Sequence, residues 1–327
     1  MIKTSHLICF LCLSYLPVSN AEANAFSFAL IGDLPYGVGL GKKDAQTDDL
    51  IRNLNNDRSL SWVLHVGDIK TGASLCSDAF LQDRYERFAK INAPFILTPG
   101  DNEWTDCHTP FAGSYDPLER LNFLRKLFFD NPEAKKRRKK LTIYSQPEIQ
   151  TEHREFIENY YWRRDGVHFA TIHIVGSLDA TRDFLPISLI KRDDKHDTAV
   201  DARRKAALSW LKFVFEEARQ NEAKALFIAI HANPGWDHRW EDENRPVFSY
   251  FNRALLDELK TFGQPTIVAH GDSHTFRIDK PSITGKIKSP ANFLRVESFG
   301  ENNNAWIKVN VDSESKSVFS FEIFEGN

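Results

Sequence analysis

Gly32-Asp33, Gly67-Asp68, Gly100-Asp101 and Gly271-Asp272 each close a run of β-branched or aromatic residues. Each pair therefore puts an acidic side chain where a strand gives way to a loop. Carboxylates gathered at one end of a sheet repel each other and lose hydration, so such a set is costly unless cations neutralise it. His231 and His274 end two of the later strands and offer nitrogen beside the oxygens. Divalent metal is the simplest neutraliser, and the chain reads first as a metallohydrolase. Helix N-capping would explain any single one of these aspartates, but it does not explain four of them combined with two histidines.

The elements that must position these residues follow from the apolar pattern. Phe26–Ile31, Trp62–Val66 and Pro94–Thr98 read as strands, separated by helical patterns at Asp48–Asn55 and Asp78–Ile91. This β-α-β-α-β alternation implies parallel strands, right-handed crossovers and ligand-bearing loops at the carboxyl ends of the strands. Further strands are expected at Val167–Val175, Ala225–Ile230 and Thr266–Ala269, with helices at about Asp201–Gln220 and Val247–Phe262. Asn292–Phe299, Ala305–Val311 and Ser317–Phe324 read as consecutive strands without helices, expected to be antiparallel in a second sheet.

From about Thr105 to Asp165 the alternation breaks, and this stretch is read as an insertion shaping the entrance to the site. It carries a helical segment at Leu118–Phe129, a basic run at Lys135–Lys140 and an aromatic stretch at Asn159–Trp162. The basic run has no interleaved aromatics and reads as a solvated helix end more readily than as a contact for nucleic acid. Gly37, Gly39 and Gly41 fit neither a dinucleotide fingerprint nor a P-loop and read as a flexible loop rim.

The chain has 327 residues and a formal net charge of −3, which gives no global attraction to nucleic acid or acidic membranes. Leu7 to Val18 form a short apolar stretch after Lys3, followed by Ala21-Glu22-Ala23 and Ala23-Asn24-Ala25, the pattern of a secretory signal with its cleavage site. Residues 1–25 are accordingly read as a signal peptide and residues 26–327 as one elaborated domain, exported to a periplasm or secreted. The apolar stretch is too short to span a bilayer, and no lipid-attachment pattern surrounds Cys12, so no membrane anchor is expected. Cleavage would leave Cys76 and Cys107 as the remaining pair, for which a disulfide tying two motif loops is the expectation.

The ordered blocks Gly32-Asp33, Gly67-Asp68, Gly100-Asp101-Asn102-Glu103, His231 and Gly271-Asp272-Ser273-His274 resemble the calcineurin-like metallophosphoesterases over about Phe26 to Arg277. The resemblance implies a four-layer α/β/β/α sandwich with two divalent metal ions. It implies that the first ion takes Asp33, Asp68 and His274, and the second Asp68, Asp101, His231 and Asp272, with Asp68 bridging. Three of the expected ligand positions depart from the family pattern, besides the catalytic position at Asn102. Pro35 stands where D-x-H has its His, Asp272 replaces the first His of G-H-x-H, and Asp101 replaces an Asn. Tyr36 is a candidate compensating ligand, since a phenolate binds iron in the related purple acid phosphatases; there the Tyr comes from the second block, where this chain has Thr71. Four carboxylates and two histidines make a hard site, favouring Mg, Mn or Ca over Zn or Fe.

Asn102 occupies the position of the family's catalytic His. An amide can position a phosphate oxygen, but it cannot act as a general acid near neutral pH. His65, His108 and His270 lie near the blocks as possible replacements, Lys70 and Arg277 as phosphate contacts, and Trp104, Trp236 and Trp240 as stacking or lid residues. The expected function is hydrolysis of a small-molecule phosphoric ester by metal-activated water. The alternative is a fold that binds phosphate or metal after losing catalysis.

Overall fold

The computed structural model describes residues 25–34, 36, 42–236, 245–285, 288–300 and 304–325. The signal segment up to residue 24, Pro35, the Gly37/Gly39/Gly41 triplet and Trp240 lie outside the described residues. The first sheet begins with the expected β-α-β-α-β unit. Strands β1 (Ala25–Ile31), β2 (Leu60–His65) and β3 (Phe95–Leu97) are parallel, and α1 (Lys42–Asn56) and α2 (Asp78–Phe88) form the crossovers. Helix α1 starts six residues earlier than the apolar pattern foretold, because residues 42–47 are mostly helix-compatible polar residues that extend it without adding an apolar stripe.

The second sheet has the order β4-β5-β6-β7-β8-β10-β9. Strands β6 (Val167–Thr171), β7 (Ala225–Ala229), β8 (Thr266–His270) and β10 (Phe293–Glu297) are parallel. Strands β4 (Tyr144–Ser145), β5 (Tyr160–Arg164) and β9 (Arg277–Asp279) are antiparallel to their neighbours. The aromatic stretch at Asn159–Trp162 thus falls largely in β5, inside the sheet. The expectation for the tail needs correction. Strand β10 joins the second sheet in parallel, while β11 (Trp306–Asp312) adds antiparallel to β1 in the first sheet and β12 (Phe319–Phe324) antiparallel to β11, order β12-β11-β1-β2-β3. Strand alternation shows which residues face a core, but not which sheet supplies the free edge.

Aromatic rings join the two sheets. Phe28 stacks on Trp62 at 4.9 Å and meets Phe169 and Phe227 of the second sheet edge-on at 5.8 and 5.1 Å. Each such buried ring contributes about 1.5–3 kcal/mol. Leu50, Ile51 and Leu54 of α1 and Leu81 and Phe88 of α2 join this core. Helices α6 (Asp194–Gln220) and α7 (Ser249–Phe262) cover the outer face of the second sheet, with Trp210, Leu211, Leu255 and Leu259 in one core with Ile228 and Val268. The result is the α/β/β/α sandwich.

Between β3 and β5 lie α3 (Pro117–Leu124), a π-helical turn Arg125–Phe129, α4 (Pro132–Arg138) and α5 (Gln146–Ile149). The basic run ends α4, and part of it turns inward: Arg138 donates to the carbonyls of Phe128 and Phe129, both at 3.0 Å, and Arg137 donates to that of Ala89. Cys76 and Cys107 form a disulfide with a Cα separation of 5.7 Å, linking the loops after β2 and β3. Closing a loop with a sequence separation of 31 is worth about 3–4 kcal/mol in the chain-entropy account.

Candidate metal centre

Seven of the strands deliver their carboxyl ends to one region. Asp33 follows β1, Asp68 follows β2, Asp101 follows β3, His231 follows β7, and Asp272 and His274 follow β8. The loop after β6 supplies Ser177 and that after β10 supplies Ser298. Hydrogen bonds sew the two sheets together here. The Asp272 N–H donates to Asp33 Oδ1 at 2.9 Å, and His231 Nδ1 donates to the Val66 carbonyl at 2.7 Å.

The backbone is forced at these points. Asp33, Asp68, Asp272 and His274 hold φ of 56°, 60°, 71° and 54°. Such left-handed positions cost of order 1–3 kcal/mol each and persist only where the surroundings impose them. Gly271 is required by space, since a Cβ there would come within 2.1 Å of Asp33 Oδ2.

Two groups of ligand-type atoms result, each with its atoms within 4.8 Å of one another: Asp33, Asp68 and His274, and Asp68, Asp101 and His231. Asp68 belongs to both. His231 Nε2 lies 3.0 Å from Asp101 Oδ1, 3.4 Å from Asp68 Oδ1 and 3.9 Å from Asp272 Oδ1. His274 Nε2 lies 3.3 Å from Asp33 Oδ1.

The donor set fits a cation. A carbonyl only accepts, so the proton of a neutral His231 sits on Nδ1 and the Nε2 lone pair faces three carboxylates that also only accept. Without a cation, the cluster resolves the conflict by holding protons. Burial, followed by the field of the Asp68 and Asp101 carboxylates, leaves His231 well above the usual imidazole range, the anions outweighing burial. Burial and the Asp101, Glu103 and Asp33 charges push Asp68 up against the opposing pull of His231, while burial and Asp101 push Asp272 to about 7. Burial alone would raise Asp101, but its contacts with His231 bring it to about 2. Four carboxylates that cannot all ionise unaided suit a divalent ion.

Comparison with known proteins decides the family. The calcineurin-like phosphoesterase model matches residues 26–276. The chain belongs to the calcineurin-like phosphoesterase family. Among solved structures it is similar to the NAD nucleotidase of Haemophilus influenzae, with 13% identity and TM-score 0.44 over 91% of this chain and 49% of that one. It is also similar to a purple acid phosphatase from yellow lupin (Lupinus luteus) seeds, with 13% identity and TM-score 0.47 over 93% of this chain and 54% of that one. The chain thus spans about half the length of each. None of the curated proteins matches.

Members of the calcineurin-like phosphoesterase family typically bind two divalent metals, and all six ligand candidates read from the sequence meet in this chain. Asn102 meets them too: its Nδ2 donates to Asp68 Oδ2 at 2.5 Å and to the Tyr36 hydroxyl at 2.8 Å. Tyr36 in turn donates to Asp68 Oδ2 at 2.5 Å and lies 3.3 Å from His274 Nε2, so its oxygen belongs to the first group. Burial and the Asp68 and Asp33 charges raise this phenol well above its usual range.

The suggested phosphate contacts are placed differently. Lys70 is fully buried and donates to the Thr71 carbonyl at 2.9 Å. It is a counter-charge beneath the loop, with no solvent face to offer a ligand. Arg277, on β9, lies 3.6 Å from Glu297. His65 has both ring nitrogens engaged by backbone, at Leu34 and Gly67, and burial lowers it to about 4. His270 Nδ1 donates to the Gly271 carbonyl, and burial lowers the ring to about 3. Trp236 is buried and donates to Asn252 Oδ1 at 2.9 Å. Trp104 is likewise buried.

Sequence reasoning missed the residues that hold the carboxylates. Glu103 Oε1 accepts the N–H groups of Gly100 and Asp68 at 2.6 and 3.2 Å, fixing two motif loops. The Ser177 hydroxyl lies 2.9 Å from Asp101 Oδ2 and 2.5 Å from Asp106 Oδ1, its single proton donated to one of them at a time, and Ser298 donates to Asp33 Oδ2 at 3.0 Å. Gly176-Ser177 follows the apolar run of β6 just as the motif pairs follow theirs, a signal open to reading.

Proposed function

We propose that this chain hydrolyses a small-molecule phosphoric ester with two divalent ions, the first held by Asp33, Asp68 and His274 and the second by Asp68, Asp101, His231 and Asp272. The observation that carries this reading is the pair of Asp/His groups sharing Asp68, with the Nε2 of His231 turned toward carboxylates by its bond to Val66. When bound, the ions supply Lewis-acid stabilisation of the phosphoryl oxygens and activate water. The chain's own residues do the rest. Val66 fixes the His231 ring, Glu103 fixes the loops bearing Asp68 and Asp101, and the Asn102 amide beside Asp68 can donate to a phosphoryl oxygen.

No imidazole stands at Asn102, so the leaving oxygen must depart without a proton from that position. Rates under single-turnover conditions should therefore fall steeply from aryl to alkyl phosphates as leaving-group pKa rises. The test is elemental analysis of the purified protein followed by metal-titrated assays across such a panel. A flat dependence would assign proton donation to another group. Bound metal with no hydrolysis of any ester would favour the second reading, a phosphate-binding or metal-binding protein, which the loss of the imidazole at Asn102 motivates. The Cys76–Cys107 disulfide and the N-terminal sequence support export to an oxidising compartment. Among the described residues, no helix is long and apolar enough to cross a membrane.

A further inference from the structure

Beside the second group lies a cavity of about 160 Å³, between the loop after β3, α3 and the start of α6. Its walls are largely apolar, with Leu118, Leu121, Phe156, Phe184, Ala199 and Val200 among them. Four arginines border it, Arg182 among them, and each already has a partner. Arg125 holds Glu158 at 2.7 Å, Arg192 holds Asp197 at 2.6 Å and Arg203 holds Asp179 at 2.6 Å. Such a cavity is poorly suited to a phosphate and well suited to an uncharged group.

Two of its lining residues, Asp106 and Ser177, also border the carboxylate cluster, because Ser177 bridges Asp106 and Asp101. The wall on that side is a turn in which Ser177, Leu178, Asp179 and Ala180 all have φ between 49° and 59°. Four successive left-handed residues are costly. Asp179 pins this turn, fully buried and bonded to Arg203, to Arg204 at 2.7 Å and to the Tyr250 hydroxyl at 3.0 Å. Opposite it, Phe184 is stacked on His108 at 4.2 Å and edge-on to His196 at 5.0 Å, so its ring is fixed. The cavity is therefore pre-shaped, and it begins one side chain away from Asp101.

Its size sets the occupant. An apolar cavity of about 150 Å³ accepts benzene, so this one holds a single aromatic ring. We propose that the cavity receives the organic half of the substrate, and that the substrate class is a phosphate ester bearing one aromatic ring. This rests on the phosphoesterase reading above: the phosphoryl group lies at the Asp68 and Asp101 carboxylates and the ring lies behind Ser177.

The test compares phenylphosphonate with methylphosphonate by calorimetric titration of the metal-loaded full chain, a readout that needs no turnover. Burying the ring should make phenylphosphonate at least about tenfold tighter. Ala199→Trp and, independently, Leu118→Trp should fill the cavity and cut the preference to less than about twofold. Both positions are only partly buried, so the substitutions spare the core. Methylphosphonate binding with no preference for phenyl, or a preference that survives both substitutions in folded protein, overturns the cavity assignment and leaves the phosphoesterase reading standing. If neither phosphonate binds although elemental analysis finds the metals, the underlying reading falls, and the cavity assignment with it.

Discussion

His231 is closed off from solvent, whereas His274 is open to it. The His231 side chain has no exposure, and its ring is fixed by the Val66 carbonyl. The carboxylates it faces are braced in turn, Asp101 by Ser177 and Asp272 by the N–H of Asn233 at 3.0 Å. The His274 side chain is 33% exposed and shares its group with a phenol where the family pattern would supply another histidine. Both groups share Asp68, so the difference lies in their surroundings. The histidine of the second group is held in place by a buried hydrogen bond, while that of the first keeps access to solvent. The phenol of Tyr36 thus stands beside the more accessible of the two histidines.

The largest effect should come from the residue that the two halves share. Asp68→Asn is expected to strip metal from both groups and abolish hydrolysis, as measured by elemental analysis after dialysis and by a metal-titrated assay. The metal-free fold should hold or gain stability, because one of several crowded charges disappears. Unchanged metal content would break the assignment of both halves at once.

Next in size is the contrast between the histidines. His231→Ala removes a buried partner of three carboxylates and should cost the metal-free fold about 3–5 kcal/mol, along with the second ion. His274→Ala, at a partly exposed position, should cost less than about 1 kcal/mol and only the first ion. Denaturant unfolding beside metal analysis checks both. Equal destabilisation by the two substitutions would erase the distinction between a closed and an open half.

The contrast also shows what a sequence reading can reach. Asp33, Asp68, Asp101 and Asp272 were legible because a glycine before each marks the end of a strand, and strand ends converge in parallel sheets. Both histidines were legible from their place at the ends of later strands, without a glycine directly before them. The burial of Lys70 was not, since a lysine two residues after a motif Asp reads the same whether it faces water or lies beneath the loop. Nor were Ser177 and Asp106, which act through partners 71–76 residues apart in sequence. The β-α-β units followed from local periodicity. The pairing of β11 with β1 joins the two ends of the described chain, and no local pattern carries that information.

A finer probe of the closed half is Gly176. An added Cβ would lie 2.7 Å from Asp101 Oδ2 and 2.8 Å from Asp272 Oδ1, in the space where the second ion is proposed to sit. Gly176→Ala should weaken metal binding at the second group by roughly tenfold or more while sparing the first, by analogy with the loss of supporting contacts. Titration of the apo protein with a divalent ion, followed calorimetrically, resolves the two steps. Two unchanged binding steps would remove Gly176 from the account of the second group.

The smallest effect on metal is expected from a charge cluster outside both groups, which serves to separate titration of the fold from titration of the site. Glu158 is fully buried between Arg125 at 2.7 Å and His173 at 2.8 Å. Burial would raise its carboxyl, but the Arg125 charge and the His173 bond bring it to about 2. A depressed carboxyl contributes stability that is fully present above the unfolded value, about 4.5, and is lost as pH falls through about 2. The swing is on the order of 3 kcal/mol. His173 adds to the same trend over a higher window. Burial holds it near 4, so its neutral form loses ground as pH drops from about 6.5 to 4, where only the unfolded chain takes up the proton. Glu158→Gln should therefore lower stability at neutral pH and flatten the acid limb of the unfolding profile below about pH 4.5, with metal content unchanged at pH 7. Loss of metal in that variant would mean that the Glu158 cluster supports the closed half through the β6 loop, and the two groups would then differ in their connection to the core as well as in their exposure.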